Sequence, residues 1–511
     1  MKKLFGTDGI RAVAGQAPLD TRTIYAVGLA LAHHLGKNGE GRHSEGERSE
    51  VEESPHFSPR ANTAASHPRV LIGMDTRESS TWIATTLTSG LTDGGATVES
   101  AGVITTPGVA YLAATHKFAA GIVISASHNP WEDNGIKLFG PDGFKLPDTT
   151  ELAIESEIFR QLENSASSQP QNSVILSAAH SAESKDPDDA NLTAAARTFQ
   201  PWNSDGTPVP NESDRLAYIN FLLASVPTLS LANQKIVIDC ANGAASSIAP
   251  QLFAELIARG GGEAIITHAS PTGRNINEHC GALHPAIVAQ EVVQQKATLG
   301  ITFDGDADRA LFADEHGNVI NGDAVLLLAA RDLSSRKLLA NDTVVATTMS
   351  NMGLEAALKR SGIKMLRAPV GDKYVLEQML ATGASLGGEQ SGHIIFSGRS
   401  TTGDGLLTAL LLLDILHRAG KSLAELTADL KTFPQVIVNV KVSSKPPLES
   451  IPAVAATIAA AEHDLADTGR VVIRYSGTES LARVMIEAES EPLMRHHADT
   501  IAAAIRAQLG I

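Results

Sequence analysis

Two short polar segments carry side chains whose types and spacing could do chemistry. Residues 125–130 read Ser-Ala-Ser-His-Asn-Pro and follow the apolar run 121–124, so Ser127 would stand on a loop at the end of a buried strand. Residues 304–309 read Asp-Gly-Asp-Ala-Asp-Arg, a composition that suits a divalent cation. One nucleophilic hydroxyl together with one metal site indicates phosphoryl transfer.

The aspartate loop, residues 304–309, can be weighed against two alternatives. Asp304, Asp306 and Asp308 alternate, so their carboxylates can converge on a hard cation such as Mg²⁺ and leave coordination positions open for a phosphate oxygen. A calcium EF-hand would use Glu315 at position twelve, but Arg309 stands at position six, where the sharp turn requires glycine, and the preceding run is strand-like. The remaining alternative is a solvated acidic turn, which is the weaker interpretation because three alternating aspartates are uncommon in turns.

The serine loop, residues 125–130, is ambiguous when it is considered alone. Ser127 beside Asn-Pro could be a turn residue only, and a single histidine or lysine is more often structural or solvated. His128 and Lys137 nevertheless lie close in sequence and could contact a phosphate or transfer a proton. Residues 134–137 are interpreted as a turn followed by a strand, which would return Lys137 toward the serine loop.

The elements that must position these loops repeat along the chain. The apolar runs 70–75, 236–239 and 301–304 each end in aspartate and are typical of parallel strands buried on both faces. Helical patterns lie between such runs, for example at 350–360 and 374–381. We therefore expect duplicated α/β domains whose loops meet at the carboxyl edges of the sheets.

Three other segments mark the domain organisation. Residues 38–68 and 164–213 are polar and are predicted to be surface insertions. The apolar run 406–413 is too short to span a bilayer and predicts a buried helix. Residues 436–442 alternate like an antiparallel strand, so the last 75 or so residues should form a smaller α+β domain.

Composition limits the class of protein. The chain has 511 residues, enough for three or four domains, and 43% hydrophobic residues are ordinary for a globular protein. A net charge of −16 argues against nucleic acid as a partner. Only Cys240 and Cys280 are present, and the start has no apolar signal region, so we expect a cytoplasmic protein without a membrane partner.

Five motifs, taken together, resemble the α-D-phosphohexomutase family, and most closely its bacterial branch that acts on glucosamine phosphate. They occur in the order in which the family has them and span nearly the whole chain. The motifs occupy residues 5–11, 125–130, 304–309, 387–393 and 474–479.

The resemblance implies a fold of three similar mixed-sheet α/β domains plus a smaller C-terminal α+β domain around a central cleft. The predicted domains are residues 1–190 with the serine loop, 212–297, 298–420 with the metal and sugar-binding loops, and 435–511 with a phosphate-binding loop. The two insertions fall within or beside the first domain.

The resemblance also implies a mechanism. Ser127 would carry a phosphate, and one Mg²⁺ per chain would be held by Asp304, Asp306, Asp308 and that phosphate. Glucosamine 6-phosphate and glucosamine 1-phosphate would interconvert through a 1,6-bisphosphate. The catalytic groups implied are Ser127, His128, Lys137 and Arg11, of which Arg11 and Lys137 would stabilise the transferring group.

Substrate contacts are implied at further positions. Glu389 and Ser391 could hydrogen-bond sugar hydroxyls, although a glycine-rich turn with a solvated glutamate is the alternative. Lys373 would face the substrate phosphate, although an exposed lysine is the commoner meaning of such a residue. The full set of predicted substrate-binding residues is Thr7, Arg309, Lys373, Glu389, Ser391, Arg474, Ser476, Gly477, Thr478 and Arg483.

Other functions remain open at this stage. A phosphomannomutase or phosphoglucomutase of the same family would have the same chemistry on another sugar. A non-catalytic sugar-phosphate sensor could keep the binding loops, and a metal-dependent phosphatase would pass the phosphate to water. The expected small-molecule partners are a hexosamine phosphate and its 1,6-bisphosphate, and the expected state is a monomer or homodimer.

Overall fold

The computed structural model describes residues 4–6, 8–41, 67–167, 211–476 and 480–511, without the side chains of 38–41 and 165–167. Four sheets organise this part of the chain, and each has helices packed against it. We call the four sheets with their helices the first unit (residues 4–167), second unit (211–320), third unit (322–427) and fourth unit (435–511).

The first unit is a five-stranded mixed sheet with four helices. Its elements are β1 (Ile10–Val13), α1 (Thr21–Gly41), β2 (Arg69–Met74), α2 (Ser80–Asp93), β3 (Thr97–Val103), α3 (Thr106–Thr115), β4 (Ala120–Ile124), β5 (Asp133–Phe139) and α4 (Asp148–Ser167). The strand order is β1-β5-β4-β2-β3, in which β3, β2 and β4 are parallel and β5 is antiparallel to β4. All five residues of β4 are buried, as the apolar run 121–124 predicts.

The second unit repeats this arrangement. Its elements are α5 (Glu212–Ala224), β6 (Lys235–Asp239), α6 (Ala249–Gly260), β7 (Glu263–Thr267), α7 (Pro285–Gln295), β8 (Leu299–Phe303), β9 (Ala310–Ala313) and β10 (Val319–Ile320). The order β10-β9-β8-β6-β7 again joins three parallel strands to an antiparallel hairpin partner. The predicted domain boundary between residues 297 and 298 is wrong, because β8 pairs with β6 and carries the aspartate loop into the second sheet.

The third unit has the same core pattern in four strands. Its elements are α8 (Gly322–Ser335), β11 (Thr343–Thr347), α9 (Met352–Arg360), β12 (Lys364–Ala368), α10 (Asp372–Thr382), β13 (Leu386–Gly388), β14 (Ile394–Phe396), α11 (Gly405–Ala419) and α12 (Leu423–Thr427). Strands β12, β11 and β13 are parallel, and β14 is antiparallel to β13. The predicted buried helix at 406–413 lies within α11, whose start is capped by the Asp404 side chain accepting from the Leu407 N–H.

The fourth unit is the smaller α+β domain that the sequence predicts. Its elements are β15 (Gln435–Lys441), α13 (Pro452–Leu465), β16 (Gly469–Tyr475), β17 (Leu481–Ala488) and α14 (Glu491–Leu509). The strands form an antiparallel sheet in the order β15-β17-β16. Arg470 ties this sheet to the third unit by donating to the carbonyl oxygens of Thr348 and Ser350.

One hydrophobic core runs through the first three units. Leu71 of β2, Ile238 of β6 and Leu410 of α11 belong to the same buried cluster, and α5 contributes Leu222. Burial of this apolar surface stabilises the relative position of the three sheets. The fourth unit has its own buried cluster.

The margins of the two predicted insertions are helical. Helix α1 continues to Gly41, and α4 continues to Ser167. The rest of both insertion predictions, residues 42–66 and 168–210, lies outside the described residues. None of the helices in the described ranges has the length and apolar character needed to cross a bilayer.

Candidate active site

The three functional loops occupy equivalent positions in the first three units. The serine loop joins β4 to β5, the aspartate loop joins β8 to β9, and residues 389–393 join β13 to β14. In each case the loop leaves the carboxyl end of a parallel strand and returns as its antiparallel neighbour. The duplicated topology therefore places all three loops at sheet edges of the same kind, where open α/β sheets bind ligands.

Ser127 stands at the centre of the described site. Its side-chain oxygen donates to Asp304 Oδ2 over 2.6 Å and lies 3.2 Å from His128 Nδ1. The residue is 1% exposed and has φ of +53°, a left-handed conformation that a non-glycine residue rarely adopts. Such a conformation persists only where neighbouring contacts hold it, and it is typical of functional loops.

Arg77 supplies much of that support. Its guanidinium pairs with Asp75 at 2.8 Å and donates to the carbonyl oxygens of Ser127 and Asn129, each at 2.9 Å. Both side chains of the Arg77–Asp75 pair are fully buried. On the other side of the loop, Asn277 of the second unit also donates to the Ser127 carbonyl oxygen at 2.9 Å.

The three aspartates converge as predicted. One carboxylate oxygen from each of Asp304, Asp306 and Asp308 lies within 4.8 Å of the others, and all three residues are buried. Asp306 Oδ1 and Asp308 Oδ1 are buried without a hydrogen-bond partner among the described residues. Buried carboxylate oxygens without partners are costly, so this cluster fits a hard divalent cation with oxygen ligands. The chemistry of the donor set thus agrees with Mg²⁺.

The pKa values of Asp304 and Asp308 are shifted in opposite directions. Burial, with Asp308 and Asp306 adding repulsion, raises the pKa of Asp304 well above its usual value. Burial also acts to raise the pKa of Asp308, but Lys137 and His393 outweigh it and hold that pKa well below its usual range. The cluster therefore resists carrying three negative charges unless a cation joins it.

Lys137 is the fixed positive charge of the site. Its ammonium lies 2.8 Å from Asp306 Oδ2, 3.3 Å from Asp8 Oδ2 and 3.5 Å from Asp308 Oδ2, and the residue is 1% exposed. Burial alone would lower the pKa of Lys137, but the three carboxylates raise it above its usual value. The predicted return of Lys137 is correct because β5 pairs with β4, while the predicted turn at Asn134 is wrong because that residue already lies in β5.

His128 and two arginines border the serine. Burial, together with Arg309 and Arg11, lowers the pKa of His128 to about 4, so its imidazole is neutral at pH 7. In the tautomer that carries its proton on Nδ1, the neutral ring donates to Ser127 Oγ, which itself donates to Asp304. Arg11 pairs with Asp8, and Arg309 Nε lies 3.8 Å from Asp308 Oδ1.

A chain of charges links the first and third units behind the aspartate trio. Lys145 donates to both Asp8 and Asp372, and Asp372 Oδ2 lies 3.7 Å from His393 Nε2. His393 Nδ1 in turn lies 3.6 Å from Asp308 Oδ2. Tertiary packing thus connects an N-terminal loop, the start of α10 and the loop 389–393 to one metal-ligand candidate.

Glu389 and Ser391 lie together on the loop between β13 and β14. Glu389 Oε1 accepts the Gly371 N–H over 3.1 Å, and Ser391 Oγ donates to Glu389 Oε2 over 3.2 Å. Burial acts to lower the pKa of Arg309, but Asp308, Asp304 and Glu389 raise it, so the Glu389 carboxylate lies within electrostatic reach of the aspartate loop.

Several predicted residues lie elsewhere. Lys373 pairs with Asp148 of α4. Arg474 and Arg483 face each other on β16 and β17 and line a cavity of about 340 Å³ whose lining comes from the third and fourth units. Ser476 is buried, and its carbonyl oxygen accepts from Lys445 Nζ at 2.6 Å. The predicted contacts at Thr7, Gly477 and Thr478 lie outside the described residues.

The sequence interpretation missed several residues of the site. They are Asp8, Arg77, Thr106, Lys145, Asn277, Asp372 and His393. Thr106 donates to Asp306 Oδ2 over 2.5 Å from the first turn of α3. One available signal was the aspartate that directly follows β2, because Asp75 is the partner of Arg77.

Models of four domains of one family match the chain in order. They are described as phosphoglucomutase/phosphomannomutase alpha/beta/alpha domains I, II and III, at residues 58–165, 216–317 and 321–433, and the C-terminal domain, at 437–504. Together they cover well over half of the 511 residues. The second match includes the aspartate loop, in agreement with the sheet pairing of β8.

Full-length relatives carry one name. A phosphoglucosamine mutase of Koribacter versatilis is 54% identical over 516 residues, covering 100% of this chain and 98% of the relative. A phosphoglucosamine mutase of Solibacter usitatus is 47% identical over 509 residues, covering 100% and 99%.

Solved structures share the fold. A phosphoglucomutase/phosphomannomutase family protein from Burkholderia thailandensis superposes with a TM-score of 0.70 at 21% identity, covering 100% of both chains. An Aspergillus fumigatus N-acetylphosphoglucosamine mutase, solved with GlcNAc-6P and magnesium, gives 0.63 at 21% identity and covers 99% of this chain and 96% of that one.

Proposed function

This chain belongs to the phosphoglucomutase/phosphomannomutase family, and from that premise we propose that it interconverts glucosamine 6-phosphate and glucosamine 1-phosphate. Full-length relatives at 41–54% identity, each named phosphoglucosamine mutase, support the choice of sugar. The observation that carries the chemistry is the 2.6 Å contact between Ser127 Oγ and Asp304 Oδ2 inside the aspartate trio.

Ser127 is the proposed phosphate carrier. One phosphoryl group would pass from Ser127 to a free sugar hydroxyl to give a 1,6-bisphosphate, and the other phosphate would then return to Ser127. Asp304, Asp306, Asp308 and the serine phosphate would hold one Mg²⁺. Bound there, Mg²⁺ would neutralise negative charge on the transferring group.

The residues around Ser127 suit this role. The Nδ1–H of His128 can donate to the serine oxygen, where negative charge gathers as the bond to phosphorus breaks. Lys137 keeps its charge because carboxylates surround it, so it can hold Asp306 and Asp308 in position for the cation. Arg11 and Arg309 add positive charge near His128, and we propose that they stabilise the transferring group.

The sugar contacts are proposed from the loop between β13 and β14. The two oxygens of Glu389 are held by the Gly371 N–H and by Ser391, an arrangement that fixes a carboxylate for neighbouring sugar hydroxyls. Arg474, Ser476, Gly477, Thr478 and Arg483 are proposed to hold the phosphate that does not react, with Thr7 and Lys373 as further contacts. Because the Lys373 ammonium pairs with Asp148, its role requires that this pair open.

A sugar-phosphate panel tests the choice of substrate. We expect kcat/KM for the glucosamine phosphates to exceed that for the mannose and glucose analogues by at least tenfold. Equal or better turnover of a mannose phosphate would contradict the amino-sugar assignment and favour a phosphomannomutase. Release of inorganic phosphate at the isomerisation rate would instead indicate a phosphatase.

We further propose a cytoplasmic monomer or homodimer. Two buried free cysteines are consistent with a reducing compartment. Size-exclusion chromatography with light scattering would determine the oligomeric state.

A further inference from the structure

A second group of metal-ligand side chains lies in the second unit, outside the aspartate trio. Asp239 ends β6, His268 follows β7 directly, and Cys280 lies on the loop before α7. Their ligand atoms all lie within 4.8 Å of one another. We propose that these three residues bind a zinc ion that links the loops at this edge of the second sheet.

The spacing of the His268 imidazole and the Asp239 carboxylate suits a shared cation as well as a direct pair. His268 Nδ1 is buried and lies 3.1 Å from Asp239 Oδ1, an oxygen that also accepts from the Ala241 N–H at 2.9 Å. A ring nitrogen and a carboxylate oxygen bound to one tetrahedral zinc, each at about 2 Å, lie roughly 3.3 Å apart. The observed spacing of 3.1 Å is close to that value.

The surrounding groups orient the ligands. Asp239 Oδ2 accepts from the Gly281 N–H at 2.7 Å and from Thr302 Oγ1 at 3.1 Å, so the carboxylate cannot rotate freely. Asn242 Nδ2 lies 3.8 Å from Cys280 Sγ and donates toward the sulfur. In metal sites, hydrogen bonds from neighbouring groups orient the metal-binding side chains and stabilise a thiolate.

The donor set separates this site from the aspartate trio. Thiolate, imidazole and carboxylate together favour zinc or cobalt, whereas three carboxylates favour magnesium. Cys280 is fully buried, and the side chain of His268 is 28% exposed with its Nδ1 buried.

The position of this site gives it a structural role. Asn277 lies three residues before Cys280, and its backbone N–H donates to the Ala241 carbonyl oxygen at 2.9 Å. The Asn277 side chain donates to the Ser127 carbonyl oxygen. A cation bound by Asp239, His268 and Cys280 would therefore brace the contact that supports the serine loop.

Cobalt(II) and zinc binding by the full chain test the proposal, with excess Mg²⁺ present to occupy the aspartate trio. We expect one equivalent of zinc to remain after gel filtration, and we expect the cobalt form to show thiolate-to-metal charge-transfer absorption, which oxygen ligands cannot produce. His268→Gln and Cys280→Ser should each remove the absorption and reduce the retained zinc from one equivalent to none.

Cys240→Ala is the matched control, because it removes the other buried thiol and should leave both signals unchanged. Circular dichroism would confirm that each variant is folded. If Cys280→Ser fails to fold, His268→Gln still tests the proposal, because His268 is partly exposed. A wild-type protein with no retained zinc and no charge-transfer absorption would overturn the proposal, as would absorption that survives in Cys280→Ser. Neither result depends on which sugar phosphate the protein uses.

Discussion

Nη2 of Arg77 lies 2.9 Å from the carbonyl oxygen of Ser127, and the two residues are 50 positions apart in the chain. The same guanidinium reaches the carbonyl oxygens of Asn129 and Asp133 and is neutralised by Asp75. A planar, rigid group with five donors can hold several loop carbonyls at once. Arg77 therefore supplies much of the support for the left-handed backbone at Ser127.

Replacing Arg77 with lysine tests this function. Because the ammonium has fewer, less extended donors, buried loop carbonyls would lose partners, and we expect Arg77→Lys to lower the free energy of unfolding by about 2–4 kcal/mol. We also expect kcat to fall at least tenfold. Urea unfolding and steady-state assays measure both. Arg69→Lys, at the exposed start of β2, is the control and should cost less than about 1 kcal/mol; equal losses in the two variants would contradict this role.

Loss of the Ser127 hydroxyl should abolish isomerisation. We expect Ser127→Ala to reduce kcat on the order of 10⁴-fold or more, because no other group in the proposed mechanism can carry the phosphate. Intact-mass spectrometry should show that the variant lacks a phosphate that the wild type carries. Ser156→Ala, on the exposed face of α4, should retain full activity. Activity above one tenth of wild type in Ser127→Ala would exclude the serine as carrier.

Asp304→Asn separates apoprotein stability from metal binding. The pKa of Asp304 is raised by burial and by its two acidic neighbours, so the ionised carboxylate costs stability without a cation. We expect the variant without Mg²⁺ to be at least as stable as wild type. Saturating Mg²⁺ at about 100 times Kd should stabilise wild type by about 2.7 kcal/mol and the variant by much less. Thermal unfolding with and without Mg²⁺ measures this, and equal stabilisation of both proteins would contradict the metal site.

Asp404 should make stability depend on pH away from the proposed chemistry. Burial raises the pKa of Asp404 to about 6 from 3.8, although Leu407 N–H and Tyr218 act to lower it. The folded state therefore binds the proton more tightly than the unfolded state, and this contribution to stability is lost as pH rises from about 4 to 6. Relative to Asp404→Asn, wild type should lose about 2 kcal/mol between pH 4 and 7.

Denaturant unfolding at several pH values checks the Asp404 prediction. Asp499→Asn, on the exposed face of α14, is the matched control for the loss of one carboxylate. A difference between wild type and Asp404→Asn that stays constant across the same range would show that Asp404 is not the titrating group.

Local sequence patterns were sufficient to predict the serine loop and the aspartate loop, but not the strand pairing and the residues around them. Ser127 and the aspartate trio stand in short motifs that follow apolar runs, so their chemistry is visible in a few adjacent residues. The domain boundary at 297/298 was wrong because an apolar run predicts a buried strand without telling which strand it pairs with. The turn predicted at Asn134 was wrong for a related reason, since an Asn-Gly pair also occurs within β5.

The sequence alone determined the family, the repeated α/β plan, the serine proposed as carrier and the three carboxylates, because strand burial and loop chemistry are encoded in neighbouring residues. Only the tertiary structure decided that Arg77 holds the serine loop, that Lys145 joins Asp8 to Asp372, and that Lys373 pairs with Asp148. Charged side chains look alike in sequence, and burial beside a distant partner is what turns a lysine or arginine into part of a site.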